Sequence, residues 1–256
     1  MARRVAIVAA LALVVTSAPA QQGLSRDAQG WTVFSPSADS RLIYVSSSTP
    51  DYLTPKYYSP SDPEIGPDPF HPLGPIRAYP AITSGTAQAR ANFPDWVLLK
   101  RGDVWYESRL ALKNGRSASE RSLFGAYGDG PRPMMKIGHD RGWSSNNSLQ
   151  FAAMAGIDIY AHSRDPNSPE YDGPADASGM GWLIPAGGYG ISFLVEDCAF
   201  RFATVGWQMR SGGTTRDLVL RRSLILDTYS GDGSHCQPAA QAGRSPMARR
   251  ISKARR

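Results

Sequence analysis

"VEDCAF" (195–200) and "LRRSLI" (220–225) decide how this chain reads, because they are one pattern written twice, 25 residues apart. Both have the form apolar-x-x-small-x-apolar, and "MAGIDI" (154–159) repeats it with Ile157 at the small position. The step from that copy to the next is 41 residues, one repeat plus an insertion. The extra length falls in "HSRDPNSPEYDGPADASGMGWLIPAGGYG", rich in Pro, Gly and Asp. Self-similarity at a period of 20–50 residues marks a solenoid, in which no unit buries its own apolar face and stacked neighbours supply the core. Apolar runs this short favour a β-solenoid over a helical array. Met154, Val195 and Leu220 are expected in one inward column, and Ile159, Phe200 and Ile225 in another.

Working outward, glycines are frequent and apolar residues recur at a spacing of two. "PDWVLLKRGDVW" (94–105) contains Arg101-Gly102-Asp103, spelled like a cell-adhesion signal. It lies between two strand-like runs, so Gly102 reads as the tight turn joining them. Upstream, Trp31–Ser47 is rich in β-branched and aromatic residues and reads as strand. Residues 50–80 hold nine prolines, which points to an extended surface loop. Thr83–Asn92 reads as a short helix, with Thr and Ser as caps and Pro94 as its stop.

The ends differ from the body. Arg3 and Arg4, the apolar run Val5–Val15 and Ala18-Pro19-Ala20 make residues 1–20 a signal peptide. The mature chain is expected from Gln21, exported to the periplasm or the extracellular space. No later run approaches the length of a membrane span. The net charge of +6 suggests nucleic acid until the charges are located. Of 28 basic residues, six lie in 237–256 and two in the first twenty, leaving 20 against 22 acidic groups. A nucleic-acid binder carries its basic patch on the folded domain; this body is nearly neutral. Cys198 and Cys236 form no disulfide framework, no spacing suits zinc, and Cys198 reads as a small buried residue.

"RLIYVSSS", "PDWVLLKRGDVW", "LFGAYGDGPRP", "VEDCAF" and "LVLRRSLI" follow one another as in secreted bacterial right-handed parallel β-helix proteins, and residues 31–235 resemble that pectate-lyase-like superfamily. The resemblance implies an N-terminal strand, Pro-rich loop and short capping helix over 21–93. Parallel β-helix coils would follow over 94–236, with an insertion at about 161–190. Members usually continue past "DTYSGDGSH" with further coils. This chain turns instead to the basic, unpatterned 237–256, expected to be disordered or the product of a truncated or frameshifted gene. Characterised members are mostly lyases, hydrolases or epimerases of polysaccharides, so the leading expectation is a lyase or epimerase of an acidic glycan. A non-catalytic glycan-binding or surface module, and an inactive fragment of a longer β-helix protein, are the alternatives.

Such an enzyme removes a proton alpha to a uronate carboxylate and needs a base plus a cation to hold the developing charge. Asp158, Tyr160, His162 and Arg164 are the candidate catalytic set, since Asp158 and Tyr160 share a strand face and His162 and Arg164 follow at the mouth of the insertion. An ordinary polar loop mouth is the other reading. Glu196 stacks beneath Arg221, and Asp197 beneath Arg222. Glu196, Arg221 and Arg222 are therefore either the substrate-binding part of an active face or a cross-strand charge ladder. The insertion carries Asp165, Asn167, Glu170, Asp172 and Asp176. Asp165 and Asp172 are its candidate calcium ligands, although the spacing does not match an EF-hand. Trp143, Trp182 and Trp207 read as sugar-stacking platforms or as core. No nucleophile elbow, P-loop or dinucleotide fingerprint is present.

Overall fold

In the computed structural model, residues 24–48, 54–143, 148–175, 190–204 and 215–229 are described. Cys236, Trp182, Trp207, Asp176, the expected leader over 1–20 and the basic 237–256 lie outside them. Six strands pair in parallel in the order β1 (Leu42–Val45), β2 (Trp96–Lys100), β4 (Ser122–Tyr127), β6 (Leu149–Ala155), β8 (Gly190–Glu196), β10 (Thr215–Arg221). Five short strands form a second parallel sheet: β3 (Val104–Trp105), β5 (Met134–Lys136), β7 (Asp158–Tyr160), β9 (Ala199–Arg201) and β11 (Leu224–Leu226). From β2 onward the chain alternates between the sheets, so each sheet neighbour lies one circuit away in sequence. The protein is all-β, with two open-edged parallel sheets, an arrangement compatible with a β-helix.

The register follows the repeat. Met154 pairs with Val195, and Val195 with Leu220; Phe124, Val97 and Ile43 extend that column. Ile159, Phe200 and Ile225 line up in the second sheet, preceded by Met135 and Trp105. These side chains meet between the sheets with Leu99, Leu110, Trp143 and Phe193. Leu220 holds its place in the column but is exposed. Trp143 is fully buried beside Phe193 and Phe200, so it is core and offers no sugar platform.

The outer face of the first sheet is also apolar. Leu42, Tyr44, Trp96, Leu98, Leu123 and Leu194 are buried there beneath Leu24, Phe34, Phe70, Ile76 and Ala78. Trp96 stacks on Phe70 at 5.4 Å and meets the edge of Phe34 at 6.4 Å. The Pro-rich segment thus covers a sheet. It bonds through Tyr58 to Leu42, and the Tyr79 amide bonds to Tyr44.

Each passage from the first sheet to the second contains a left-handed residue, and that from β4 to β5 has two, Gly128 (φ +75°) and Gly130 (φ +117°). Gly102 (φ +83°) and Gly156 (φ +74°) fill that place in two circuits, and Asp197 (φ +57°) and Arg222 (φ +50°) in the last two. Arg101-Gly102-Asp103 is therefore a corner. Its aspartate is buried and cannot present an adhesion signal. The Asp103 carboxylate accepts hydrogen bonds from the Ser46 and Ser48 hydroxyls and the Ser47 and Ser48 amides, at 2.7–3.1 Å. Burial pushes its pKa up, but these donors outweigh burial and hold it below the usual carboxylate value.

The helix is shorter than its sequence suggests. It spans Ile82–Thr86, and neither Thr83 nor Ser84 caps it. Glu107, from beyond β3, accepts from the Ile82 and Thr83 amides at 2.7 and 2.8 Å and takes the capping place. Trp31–Ser47 contributes a strand only at Leu42–Val45; its first half forms part of the cover.

Candidate functional site

Among the described residues, the outer face of the second sheet lacks the apolar cover of the first. Strand alternation projects the first and third residue of each three-residue strand there, and register aligns the third ones, Lys136, Tyr160 and Arg201, with Tyr106 beside Lys136 just past β3. Cations and rings alternate in this column. The Lys136 ammonium lies 4.8 Å from the Tyr106 ring centroid, and the Arg201 guanidinium 4.1 Å from that of Tyr160. Asp158, one strand position before Tyr160's inward neighbour, takes a two-pronged pair from Arg201 at 3.0 and 2.8 Å. Burial raises the Asp158 pKa despite the opposing guanidinium.

The chain then folds back over this face. After β7 a 3-10 turn, His162–Arg164, leads into Asp165–Asp172. His162 is buried against the edges of Tyr106 and Tyr160. Its Nδ1 accepts the Gly138 amide at 3.2 Å, which places the proton of the neutral ring on Nε2, facing Glu170 Oε2 at 3.2 Å. Burial holds the His162 pKa below the usual imidazole value, with Glu170 pulling the other way. Glu170 Oε1 also accepts from Tyr106 Oη at 2.9 Å and pairs closely with Lys136. The Lys136 bond holds Glu170 below the usual carboxylate range, and Glu170 in turn raises Lys136.

Of the four catalytic candidates, the structure brings Asp158, Tyr160 and His162 to this face. The Tyr160 hydroxyl donates to Asp165 at 2.5 Å. Arg164 turns inward: it is fully buried, lies 4.3 Å over the Tyr229 ring and donates to the Tyr229 carbonyl at 2.5 Å. It ties the turn to the segment after β11 and has no route to a ligand on the outer face.

Glu196, Arg221 and Arg222 lie apart from this cluster. Glu196 and Arg221 precede the corner, on the first sheet's outer side, and pair at 2.9 Å. Glu196 is buried and accepts the Thr32 amide at 3.2 Å, while Arg221 bonds the Thr32 hydroxyl. Arg222 donates to the Gln29 carbonyl at 2.6 Å and covers the Trp31 ring at 4.1 Å; it does not pair with Asp197, which takes Arg132. All three residues fasten the N-terminal cover; Glu196 and Arg221 make one rung of the expected charge ladder, and Asp197 and Arg222 do not make the other.

Asp165 and Asp172 do not converge. Asp165 accepts from Tyr160 and from the Asn167 amide at 2.8 Å, and Asp172 pairs with His139. Among the described residues, no three His, Cys, Asp or Glu side chains group as metal ligands. Cys198 is buried and unpaired, its thiol pushed up to about 12 by burial.

Tyr106 and Lys136 escape the sequence reading because the repeat is legible only in its last three copies, whereas Arg201 directly follows the copy at 195–200 and shares Tyr160's place in the pattern. Extending the Ile159–Phe200 column back to "VWY" and "MMK" would have aligned Tyr106 and Lys136 with Tyr160.

Fold and face together define an all-β protein with two parallel sheets and one polar, titratable outer surface. Comparison with protein-family models, with curated protein sequences and with solved structures finds no match to this chain.

Proposed function

We propose that the chain is an exported right-handed parallel β-helix protein of the pectate-lyase-like kind, and that the outer face of its second sheet binds an acidic polysaccharide. In-register strands at a 25-residue step and the left-handed corners support the solenoid reading. The carrying observation for binding is the Tyr106–Lys136–Tyr160–Arg201 column, where rings and cations alternate at the ~4.8 Å rung spacing. The largely exposed Tyr106 ring can pack against a sugar, and the cations suit carboxylates.

Binding is favoured over turnover because the base candidates are committed elsewhere. The His162 Nδ1 lone pair faces the Gly138 amide, Glu170 favours the protonated form of Lys136, and the Tyr160 hydroxyl, held protonated by burial, donates its hydrogen bond to Asp165. Lyase or epimerase chemistry remains the second reading on one observation: Asp158 has a raised pKa beside a guanidinium.

Titrating purified protein with oligogalacturonate, alginate and neutral cellohexaose while following product formation tests both. Binding of the acidic glycans without product supports the module. Product formation lost in Asp158→Asn replaces it with the enzyme. Binding to none of the acidic glycans overturns both. Among the described residues no helix is long and apolar enough to cross a membrane.

A further inference from the structure

Glu170 is placed as a ligand would be. Three donors from three parts of the chain converge on its carboxylate: the Tyr106 hydroxyl after β3, the Lys136 ammonium at the end of β5, and the Nε2 proton of His162 in the 3-10 turn. None of them depends on Glu170 for its position. His162 is fixed by the Gly138 amide, Tyr106 packs edge-on to His162 at 5.5 Å, and Lys136 lies over the Tyr106 ring and donates to its hydroxyl at 2.9 Å. The donor set is a preorganised carboxylate seat whose geometry comes from the sheet.

The hold on Glu170 is local by contrast. Its amide bonds the Ser168 hydroxyl at 3.1 Å, and the Asp172 amide bonds the Ser163 carbonyl at 3.0 Å. Moving the side chain aside breaks neither contact. About a third of the Glu170 side chain is exposed, so solvent reaches the seat. Exchanging one carboxylate for another also leaves Lys136 paired throughout, avoiding the cost of a stranded cation.

We propose that Tyr106, Lys136 and His162 form a recognition seat for a ligand carboxylate, which Glu170 of the same chain occupies until a uronate carboxylate displaces it. Glu170 is then an internal competitor that sets the threshold for binding. This rests on the acidic-glycan reading, although the seat itself can be tested without a glycan.

The experiment titrates wild type, Glu170→Ala and Lys136→Met with trigalacturonate by calorimetry, and with sodium acetate by following the His162 imidazole resonances. Removing an internal competitor raises apparent affinity by the inverse of the fraction of open seats, about tenfold if one seat in ten is open. The expected result is tighter trigalacturonate binding by Glu170→Ala than by wild type, loss in Lys136→Met, and acetate shifts of His162 in Glu170→Ala that wild type lacks. Equal trigalacturonate affinity in wild type and Glu170→Ala overturns the competition and leaves the glycan reading standing. Acetate binding without any trigalacturonate binding upholds the seat and overturns the glycan reading. Failure of both ligands in a folded Glu170→Ala protein overturns the seat.

Discussion

The two sheets share one core, yet their outer faces have opposite fates. On the first, Trp96, Leu98, Leu123 and Leu194 are sealed beneath aromatic and aliphatic residues from the N-terminal third. On the second, the equivalent positions carry Lys136, Tyr160 and Arg201, with a short polar segment folded against them. A sheet face that is fully packed leaves none of its side chains to a ligand. The difference teaches where to look: among the described residues, the apolar-covered face holds the molecule together, and the polar face carries the groups a ligand could meet.

The contrast can be broken most directly at Trp96. Trp96→Ala removes the ring held between Phe34 and Phe70 and should cost about 3–5 kcal/mol, seen as a large drop in the urea midpoint. A smaller loss would mean that the cover packs loosely and the first sheet is more open than its burial suggests. Next is Glu196→Ala, which strands Arg221 beneath the cover and should cost about 3 kcal/mol. Its effect should be on thermal stability and on protease sensitivity near residue 32, with glycan affinity per folded molecule unchanged.

Asp103, at the corner shared by both sheets, sharpens the comparison through pH. Its folded pKa is depressed, so its contribution is fully present above the unfolded carboxylate value and is lost as pH falls through the folded one. Asp103→Asn should cost about 2 kcal/mol at neutral pH and flatten the acid limb of a stability-versus-pH curve. An unchanged acid limb would remove Asp103 from the account. The smallest effect on folding belongs to the uncovered sheet. Tyr106→Ala, on a largely exposed ring, should change stability by no more than about 0.5 kcal/mol while weakening acidic-glycan binding up to about tenfold. Loss of stability without loss of binding would reverse the roles assigned to the two faces.

What was legible in the sequence follows from the repeat. Two copies 25 residues apart were enough to pair Val195 with Leu220 and Phe200 with Ile225, because in-register parallel stacking turns sequence period into spatial adjacency. The same period placed Glu196 against Arg221, but it could not say what lay on top of them. Thr32 reaches Glu196 from 164 residues away, and no local pattern encodes that meeting. The candidate site was half legible. Asp158 lies in a recognisable copy and Tyr160 and His162 just after it, whereas Lys136 sits in a short strand and Tyr106 just past another where no copy of the pattern shows. Arg164 misled because alternation ceases in the 3-10 turn, where a charged side chain can swing to the interior.

The step of 41 residues from Met154 to Val195 lands in the same register as the step of 25 from Val195 to Leu220. Chain length is therefore quantised within strands and free between them. One residue added inside β8 would exchange Phe193 and Val195 with Leu194 and Glu196 and turn the strand inside out. A dozen added between β7 and β8 would leave every rung where it is. That freedom lets the same connection carry His162 and Glu170 to the face beside Lys136 without displacing a rung.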